Sequence, residues 1–399
     1  MVNKFKKDIL IISHFVNFPE EKGNDRFCYL ADLLCNRGNS VEIITSDFIH
    51  FKKEHRHSKR EKYKYKYQLI HEPSYKKNIC LRRFYSHYIF AKNVKKYLNT
   101  RRKPDVIYCA IPSLDVAKVA AKYARKNHIK FIVDVQDLWP EAFKMVFHVP
   151  IVSDLIFAPM KIKANYTYRQ ADGIVAVSDT YVNRALAVNE KCSQGLSVFL
   201  GTDLQKFDKY KSTAKLSEKD GIIRLVYIGT LGHSYDLTCV FDAMVQLKEE
   251  GYDDIRFQVI GDGPLKSKFQ EYSNKLKLDV EYTGRLEYSD MVSRLTECDI
   301  AVNPIVAGSA ASIINKVGDY AMSGLPVVNT QECEEYRRLV EHYNMGFNCK
   351  NNDAEDLANK LILLIKDAKL REEMGSNARR CAVEMFAREI RYTKILDLI

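Results

Sequence analysis

The feature of this sequence that most limits its fold is a repeated pattern of short, continuous apolar runs. Six runs lie in the first half, at 8–13, 41–45, 105–110, 131–135, 173–178 and 196–200. Five more lie in the second half, at 223–229, 255–261, 280–284, 299–304 and 325–330. Runs without alternation are typical of parallel strands that helices cover on both faces. The pattern therefore predicts two parallel sheets.

Amphipathic segments lie between the apolar runs. Two of them, 25–38 and 237–251, end at a glycine, which is a common helix stop. The order is strand, helix, strand in both halves, so we predict an α/β chain with two Rossmann-like, doubly wound parallel-sheet domains facing a central cleft. The polar, lysine-rich stretch 201–221 is interpreted as a linker.

The predicted domains follow from these series. The first is placed at 1–205 and the second at 206–375. A final helical segment, 376–399, is expected to pack back toward the first domain.

Composition limits the environment of the chain. No apolar run reaches the length of about 18 residues that a transmembrane helix requires. The apolar part of the N-terminus is too short for a signal peptide, so we expect a cytoplasmic protein. The ten cysteines show neither a Cys-x-x-Cys pair nor a matching histidine spacing. They are interpreted as small apolar residues in a reducing compartment, and no zinc site is predicted from them.

The positive charge is concentrated in one tract. Residues 51–103 hold eighteen Lys and Arg against three Glu, with tyrosines between them, in a chain of net charge +11. One interpretation is a solvated basic loop. Another is a surface that binds anionic membranes, because basic residues are attracted to anionic lipids and tyrosine suits the headgroup layer. No nucleic-acid-binding motif accompanies the tract, so we expect no nucleic-acid partner.

Two glycine-containing turns follow strands of the second half. The first contains Gly229 and Gly232, and the second contains Gly261 and Gly263. Glycine lets backbone N–H groups approach a phosphate, and the following helix N-terminus adds partial positive charge. The alternative is structural, since such turns occur throughout α/β proteins.

The stretch 303–330, "NPIVAGSAASIINKVGDYAMSGLPVVNT", is the most informative. Small residues at 308–312 precede a helical segment with one base, Lys316, and one acid, Asp319. Small residues expose backbone amides, a cation neutralises phosphate, and a carboxylate accepts hydrogen bonds from hydroxyl groups. This order predicts a site for a phosphorylated sugar.

These motifs resemble, in order and spacing, the family-4 glycosyltransferases of the GT-B fold over about residues 8 to 385. The segments that carry the resemblance are "GNDRFCYLADLLCNRGNSVEIITS", "VDVQDLWPE", "ADGIVAVSD", "YIGTLG", "GDGP", "TGRL", "CDIAVNP", "GSAAS" and "KVGDYAMSGLPVV". The resemblance implies transfer of a sugar, with retention, from a nucleotide-sugar that is expected to be UDP-linked. The implied acceptor is a polyprenyl-diphosphate-linked saccharide of bacterial capsule or O-antigen synthesis. The resemblance implies that the domain at 1–205 binds this acceptor and that the domain at 206–375 binds the nucleotide-sugar.

The resemblance also implies roles for single residues. Lys316 would neutralise the leaving diphosphate, and Asp319 stands where the family has a ribose-binding glutamate. The remaining donor-site candidates are Gly229, Gly232, His233, Gly261, Gly263, Arg285, Gly308, Ser309, Ala310, Ala311 and Ser312. Two departures stand out. Ala311 replaces a glutamate that usually contacts the donor sugar, and the usual Arg and Lys after the first strand are absent, for which His233, Lys316 or Arg285 are candidate substitutes.

The acceptor side rests on fewer residues. Asp137 could lie near the acceptor hydroxyl, or it could cap the following turn while Trp139 packs in the core. His14 could face the cleft, although a surface histidine is the slightly favoured interpretation. Gly23 and Asn24 belong to the loop that in the family meets an acceptor or donor phosphate.

The sequence contains no Asp-x-Asp, so we expect a transferase without a metal ion or other cofactor. The basic tract 51–103 and the apolar stretch 145–160 would attach the chain peripherally to the inner face of the cell membrane; a buried helix pair is the alternative for 145–160. Two rival functions remain open. One is a transferase with a soluble acceptor, and the other is a non-catalytic scaffold that binds nucleotide.

Overall fold

The computed structural model describes residues 6–21, 25–56, 63–78, 80–144, 150–213, 220–309 and 313–399. The chain divides into two compact units. The first comprises Met1–Val198 together with Lys394–Ile399, and the second comprises Phe199–Thr393.

Up to Val198, the first unit combines nine strands with six helices among its described residues. The strands are β1 (Asp8–Ile12), β2 (Ser40–Ser46), β3 (Phe48–Ile49), β4 (Glu54–His55), β5 (Lys66–Ile70), β6 (Val106–Ile111), β7 (Lys130–Val135), β8 (Gly173–Ala176) and β9 (Leu196–Ser197). The helices are α1 (Arg26–Asn36), α2 (Leu81–Thr100), α3 (Leu114–Asn127), α4 (Glu141–Lys144), α5 (Pro150–Gln170) and α6 (Asp179–Leu186).

Seven of these strands form one parallel sheet in the order β5-β2-β1-β6-β7-β8-β9, while β3 and β4 form a separate antiparallel hairpin. The central strands are fully buried, as in the unbroken apolar run of β6. The strand order reverses between β1 and β6. In sheets of this kind ligands bind at such a reversal, outside the carboxyl ends of the strands.

The second unit has six strands and nine α-helices within the same described ranges. The strands are β10 (Ile223–Ile228), β11 (Ile255–Ile260), β12 (Val280–Gly284), β13 (Ile300–Asn303), β14 (Val327–Asn329) and β15 (Gly346–Asn348). The α-helices are α7 (Leu204–Thr213), α8 (Leu237–Glu249), α9 (Lys266–Lys275), α10 (Tyr288–Thr296), α11 (Lys316–Ser323), α12 (Glu334–Tyr343), α13 (Ala354–Lys366), α14 (Ala368–Cys381) and α15 (Arg388–Arg391). A π-helical turn (Ala382–Phe386) precedes α15, and α16 (Thr393–Leu398) ends the chain.

The second sheet is parallel, in the order β12-β11-β10-β13-β14-β15. Successive residues of β10 point to opposite faces. Leu225 and Tyr227 pack in the core beneath α8 and α13, whereas Val226 and Ile228 pack in the core beneath α11. Both faces are therefore covered, as the unbroken apolar runs predicted, and the strand order reverses between β10 and β13.

Three asparagines lie side by side at the ends of β13, β14 and β15. Asn303 pairs in register with Asn329, which pairs with Asn348. Asn303 Nδ2 donates to Asn329 Oδ1 at 2.8 Å, and Asn329 Nδ2 donates to Asn348 Oδ1 at 2.9 Å. This row of amides, of which Asn303 and Asn329 are buried, adds side-chain hydrogen bonds to β14 and β15, two strands of only three residues each.

The predicted α/β class with two doubly wound parallel sheets is confirmed, and each of the apolar runs contains a strand. The prediction of a linker at 201–221 is wrong. Helix α7 lies there, with Phe207 buried against the second core. The apolar positions of α7 are Leu204, Phe207 and Tyr210, which recur every three residues. This helical spacing is hard to recognise in the sequence because of the lysines between them. The pattern also missed β5 and β15.

The interpretation of 51–103 as a loop is wrong for its described part. The tract contributes the edge strand β5 and the 20-residue helix α2. Residues 57–62, 79, 145–149 and 214–219 lie outside the described ranges. Within those ranges, no helix combines the length and apolar character needed to cross a bilayer.

Candidate functional site

The loops after β10 and β13 are bonded to each other at the reversal of strand order. Tyr235 forms an antiparallel bridge with Ile305. The Val306 N–H donates to Ser234 O, and the Asp236 N–H donates to Pro304 O, both at 3.1 Å. The backbone after β10 is therefore held beside the backbone that leads into the small-residue run.

Lys316, the first residue of α11, points toward the end of β10. Its Nζ lies 3.9 Å from the ring centroid of Tyr227 and 3.8 Å from that of Tyr235. The side chain is only 9% exposed, and its Nζ has no hydrogen-bond partner among the described residues. Burial lowers the pKa of this amine well below its ordinary value. The two ring faces thus hold a buried nitrogen whose hydrogen-bonding capacity is unused.

Gly229 gives Lys316 access to the end of β10. A Cβ atom at this position would lie 2.8 Å from Lys316 Nζ, and the φ of +139° favours glycine. The fold therefore brings together two predicted site residues, Gly229 and Lys316, that are far apart in the chain. An anion held beside Gly229 would meet the buried amine.

Gly261 and Gly263 have a structural reason to be glycine. A Cβ at Gly261 would stand 1.8 Å from Gly229 O, and one at Gly263 would stand 2.4 Å from Leu231 O. Gly229 N–H donates to Ile260 O at 2.9 Å, so the loops after β10 and β11 pack backbone against backbone. Their direct contact with a ligand stays a prediction. Gly232 has ordinary space around it.

Asp319 lies one helical turn after Lys316 and is half-buried. Its Oδ1 accepts hydrogen bonds from the Tyr288 hydroxyl at 2.8 Å and the Thr202 hydroxyl at 3.2 Å. Burial raises the pKa of Asp319 to about 6, against the opposing effect of these two donors. Sequence reasoning missed Tyr288 and Thr202, which lie in unrelated segments. The proposed contact of Asp319 with a ribose stays a prediction.

The small-residue run is described in part. Ala310, Ala311 and Ser312 lie outside the described residues. The Gly308 N–H donates to Glu332 Oε2 at 3.1 Å, and the Ser309 N–H donates to Val306 O, also at 3.1 Å. A phosphate at Gly308 would have to replace the carboxylate of Glu332.

Two further cationic candidates lie at the surface of the second unit. His233 and Arg285 are both exposed, His233 in the loop after β10 and Arg285 in the turn after β12. Their predicted role as substitutes for the missing basic pair is untested.

The slightly favoured interpretation of His14 as a surface residue is wrong. His14 follows β1 and is buried, with its Nε2 2.8 Å from Glu72 Oε1. Its ring stacks between Phe15 and Phe90, at centroid distances of 4.4 and 4.1 Å. Burial alone would raise the pKa of Glu72, but His14 and the hydroxyls of its two serine partners lower it. A pair formed across such a distance in the chain leaves no local sequence signal.

Asp137 and Trp139 are joined by a hydrogen bond. The indole Nε1 of Trp139 donates to Asp137 Oδ2 at 3.1 Å, and burial raises the pKa of this carboxyl. Trp139 is buried and stacks on His87. Trp139 therefore packs in the core, as in the alternative interpretation of this segment, and the catalytic role of Asp137 stays a prediction. Gly23 and Asn24 lie outside the described residues.

A buried ion pair near the start of α1 was not predicted. Arg26 Nε donates to Asp134 Oδ2 at 2.9 Å, and Arg26 Nη1 donates to Val198 O at 3.1 Å. Asp134 also accepts the Tyr108 hydroxyl at 2.7 Å. The acid inside the otherwise apolar run of β7 was a signal that could have indicated this pair.

Two family comparisons divide the chain between them. Residues 26–190 match the family described as Glycosyltransferase Family 4, and residues 208–381 match Glycosyl transferases group 1. A curated relative, an uncharacterized glycosyltransferase of Methanocaldococcus jannaschii, is 23% identical over 223 residues, which cover 55% of this chain and 56% of the relative. The chain thus spans about half the length of the curated relatives it matches.

Solved structures are similar over nearly the whole chain. The structure of HepE of Anabaena in complex with UDP has a TM-score of 0.70 at 14% identity, covering 98% of both chains. That of WaaG, a glycosyltransferase involved in lipopolysaccharide biosynthesis, has a TM-score of 0.67 at 15% identity, covering 98% of this chain and 99% of WaaG. At these identities the likeness establishes the fold, which is GT-B.

The chain is therefore a protein of the GT-B class. More specifically, its first unit contains a region that matches Glycosyltransferase Family 4, and its second unit contains a region that matches Glycosyl transferases group 1.

Proposed function

We propose that this chain transfers a sugar, with retention, from a UDP-linked donor to a lipid-linked saccharide in bacterial surface-polysaccharide biosynthesis. The observation that carries the proposal is the buried amine of Lys316, which faces Gly229 at the strand reversal and has no hydrogen-bond partner among the described residues. A buried polar group normally finds such a partner, so this nitrogen fits an anionic ligand. The diphosphate of a nucleotide-sugar supplies one.

The chemistry of transfer explains why a cation is needed there. The bond from the anomeric carbon to the diphosphate oxygen breaks, and a bond to the acceptor hydroxyl oxygen forms. Negative charge develops on the departing diphosphate, and a preorganised ammonium in a dry site stabilises it strongly. Lys316 would take this role without a metal ion, and diphosphate binding would favour the charged form of its amine.

Asp319 and Asp137 have distinct proposed roles. Asp319 would accept hydrogen bonds from the ribose, with Tyr288 and Thr202 holding its other contacts in place. Asp137, oriented by the Trp139 indole, would receive the proton that the acceptor hydroxyl releases. Its raised pKa suits proton exchange near neutral pH better than an ordinary aspartate would.

UDP is the proposed nucleotide because HepE, which shares the fold, was solved with UDP and with UDP-glucose. The experiment is a thermal-shift panel of UDP, GDP, ADP and CMP on wild type and Asp319→Ala. We expect a shift with UDP that Asp319→Ala reduces; ligand at about 100 times its dissociation constant stabilises by about 2.7 kcal/mol. No shift with any nucleotide would refute the donor site. A shift without sugar transfer to any lipid-linked saccharide would favour the scaffold function.

The lipid-linked acceptor is supported by exposed apolar side chains on two helices of the first unit. Leu81, at the start of α2, is 87% exposed, and Leu155, on α5, is 78% exposed. The other large exposed side chains on these helices are Tyr85, Tyr88, Ile156 and Ile162. Phe143 contacts both Phe84 of α2 and Phe157 of α5, which ties the two helices together. The exposure of Leu155 and Ile156 argues against the alternative of a buried helix pair at 145–160, of which residues 145–149 lie outside the described residues.

Basic residues accompany these apolar side chains on α2, and apolar anchors with a basic surround suit an anionic membrane. We therefore propose peripheral attachment at the cytoplasmic face of the cell membrane.

Liposome flotation tests the membrane surface. Replacing the exposed lysines of α2, Lys92, Lys95 and Lys96, with glutamine should weaken binding to anionic vesicles. The control replaces three exposed lysines of the second unit, Lys268, Lys275 and Lys277, and loses the same charge. Equal loss of binding in both variants would mean that only net charge matters. Unchanged binding in the α2 variant, or no binding by wild type, would favour a soluble acceptor.

A further inference from the structure

Three side chains that could bind a metal ion converge in the first unit, outside the donor site. They are Asp47, between β2 and β3; His55, in β4; and His71, directly after β5. His55 Nδ1 lies 3.1 Å from Asp47 Oδ1, and His71 Nδ1 lies 2.8 Å from Asp47 Oδ2. All three ligand atoms lie within 4.8 Å of one another.

The geometry of His55 is not explained by hydrogen bonding. Its Nδ1 is buried and forms no hydrogen bond among the described residues, although a carboxylate oxygen is 3.1 Å away. The rings of His55 and His71 stack at 5.2 Å with an angle of 24° between their planes. Both Nδ1 atoms therefore point toward the same carboxylate from adjacent, nearly parallel rings.

The distances suit a tetrahedral ion. Zinc binds histidine nitrogen at about 2.0–2.1 Å and carboxylate oxygen at about 2.0–2.2 Å, which places neighbouring ligand atoms about 3.3 Å apart. The two nitrogens approach different oxygens of Asp47, at 2.8 and 3.1 Å, and the three ligand atoms lie within 4.8 Å of one another, so modest movements of the side chains would bring them to this spacing. His71 is 67% exposed on its side chain, so water can reach the fourth position.

The carboxylate is held in place by its surroundings. The Glu72 N–H donates to Asp47 Oδ1 at 3.3 Å, and the Asp47 N–H donates to Ile70 O at 3.0 Å. The Arg56 N–H donates to Asp47 O at 2.8 Å. Hydrogen bonds that orient a ligating carboxylate are a usual feature of metal sites.

We propose that Asp47, His55 and His71 form a binding site for a divalent transition-metal ion of the zinc class. Two imidazoles and one carboxylate are typical ligands of Zn²⁺, Co²⁺ and Ni²⁺ rather than of Mg²⁺ or Ca²⁺. The ion would fasten the β3–β4 hairpin to the end of the edge strand β5. It has no part in the proposed sugar transfer, which we assign to residues of other segments. The three ligands are widely and irregularly spaced in the chain, which explains why no sequence motif indicates the site.

Zinc binding tests the site directly. Metal-free wild type, His71→Ala, Asp47→Asn and the control His342→Ala are titrated with Zn²⁺ against a chromogenic chelator. His342 is an exposed histidine of the second unit. We expect wild type and His342→Ala to bind one equivalent more than His71→Ala and Asp47→Asn. The same stoichiometry in all four proteins would overturn the proposal.

Cobalt distinguishes this site from the cysteines, because all ten thiols are free. Co²⁺ bound by two imidazoles and a carboxylate gives visible d–d absorption without the intense near-ultraviolet band of thiolate ligation. Loss of the d–d band in His71→Ala, with its retention in His342→Ala, would support the site. A thiolate band that neither Asp47→Asn nor His71→Ala changes would overturn it. Both variants are expected to fold, since His71 is exposed and asparagine keeps the shape of Asp47.

Discussion

Replacing Lys316 with methionine should stabilise the ligand-free protein and weaken nucleotide binding. Methionine keeps the length of the side chain and leaves its contacts with Tyr227 and Tyr235. It removes a buried nitrogen that has no hydrogen-bond partner among the described residues. This single substitution should therefore raise the stability and lower the nucleotide affinity, as expected of a site that keeps an unsatisfied buried group for its ligand.

The size of the stability change follows from burial. Replacing buried charged groups with apolar ones is often neutral or stabilising by about 1–4 kcal/mol. Methionine cannot replace the attraction between the ammonium group and the two ring faces, and this loss offsets up to about 2 kcal/mol of the gain. We expect a net gain of about 1–2 kcal/mol, or about 2–8 °C in the melting temperature of a unit of this size. UDP affinity should fall about tenfold to a hundredfold, because a hydrogen bond to a charged group contributes about 1.5–3 kcal/mol.

The pH dependence adds an independent check. The pKa of Lys316 is lowered in the folded protein, so between that pKa and the ordinary value of 10.5 the unfolded chain binds more protons. Stability of the wild type should therefore rise with pH across this window, and the advantage of Lys316→Met should shrink toward zero near pH 10.5.

Differential scanning fluorimetry from pH 6 to about 10.5 and calorimetric titration with UDP measure both effects. Lys268→Met, at an exposed lysine of α9, is the control and should change neither quantity. A lower melting temperature for Lys316→Met would show that the amine has a stabilising partner. Unchanged UDP affinity would show that Lys316 does not contact the diphosphate.

Three other changes should have defined effects. Gly261→Ala should lower the free energy of unfolding in urea by at least about 1–3 kcal/mol, because the φ of Gly261 is +149° and a Cβ there would meet Gly229 O. Gly232→Ala is the control and should change this free energy little; equal effects of the two substitutions would contradict the backbone packing. Asp134→Asn should cost about 3–5 kcal/mol in the same measurement, since it leaves Arg26 buried and uncompensated, and a cost below about 1 kcal/mol would mean that water reaches the pair. UDP affinity should decrease below about pH 6, where Asp319 becomes protonated, and Asp319→Asn should remove that pH dependence. The contribution of Asp319 to the free energy of unfolding should fall as the pH rises from about 4 to 6, because the folded protein keeps the proton to a higher pH than the unfolded chain does.

The fold could be predicted because its signal is local. Each parallel strand needs an unbroken apolar run on its own stretch of chain, and β6 and β10 show this directly. Segments whose burial is partial gave no such signal. Helix α7 buries Phe207 among lysines, and β5 is an edge strand with a polar composition, so both were assigned to irregular structure.

The site was predicted only where a motif is continuous in sequence. Lys316 and Gly229 were identified from their segments, and the structure brings them together. The partners of Asp319 could not be identified, because Thr202 and Tyr288 become neighbours only when α7 and α10 pack against α11. His14 was misassigned for the same reason, since its partner Glu72 lies 58 residues further along the chain. Polar pairs formed by folding leave their members looking like ordinary surface residues.

The row of three asparagines at the ends of β13, β14 and β15 also determines where the following segments begin. A shift of one strand by a single residue would place Val328 beside Asn303 and leave buried amides unpaired, at a cost of about 1–3 kcal/mol for each lost partner. The hydrogen-bonded amides therefore fix the register of the three strands. The chain continues from β13 into the small-residue run and then into α11, so these asparagine side chains help to set the position of Lys316 although they need not contact a ligand.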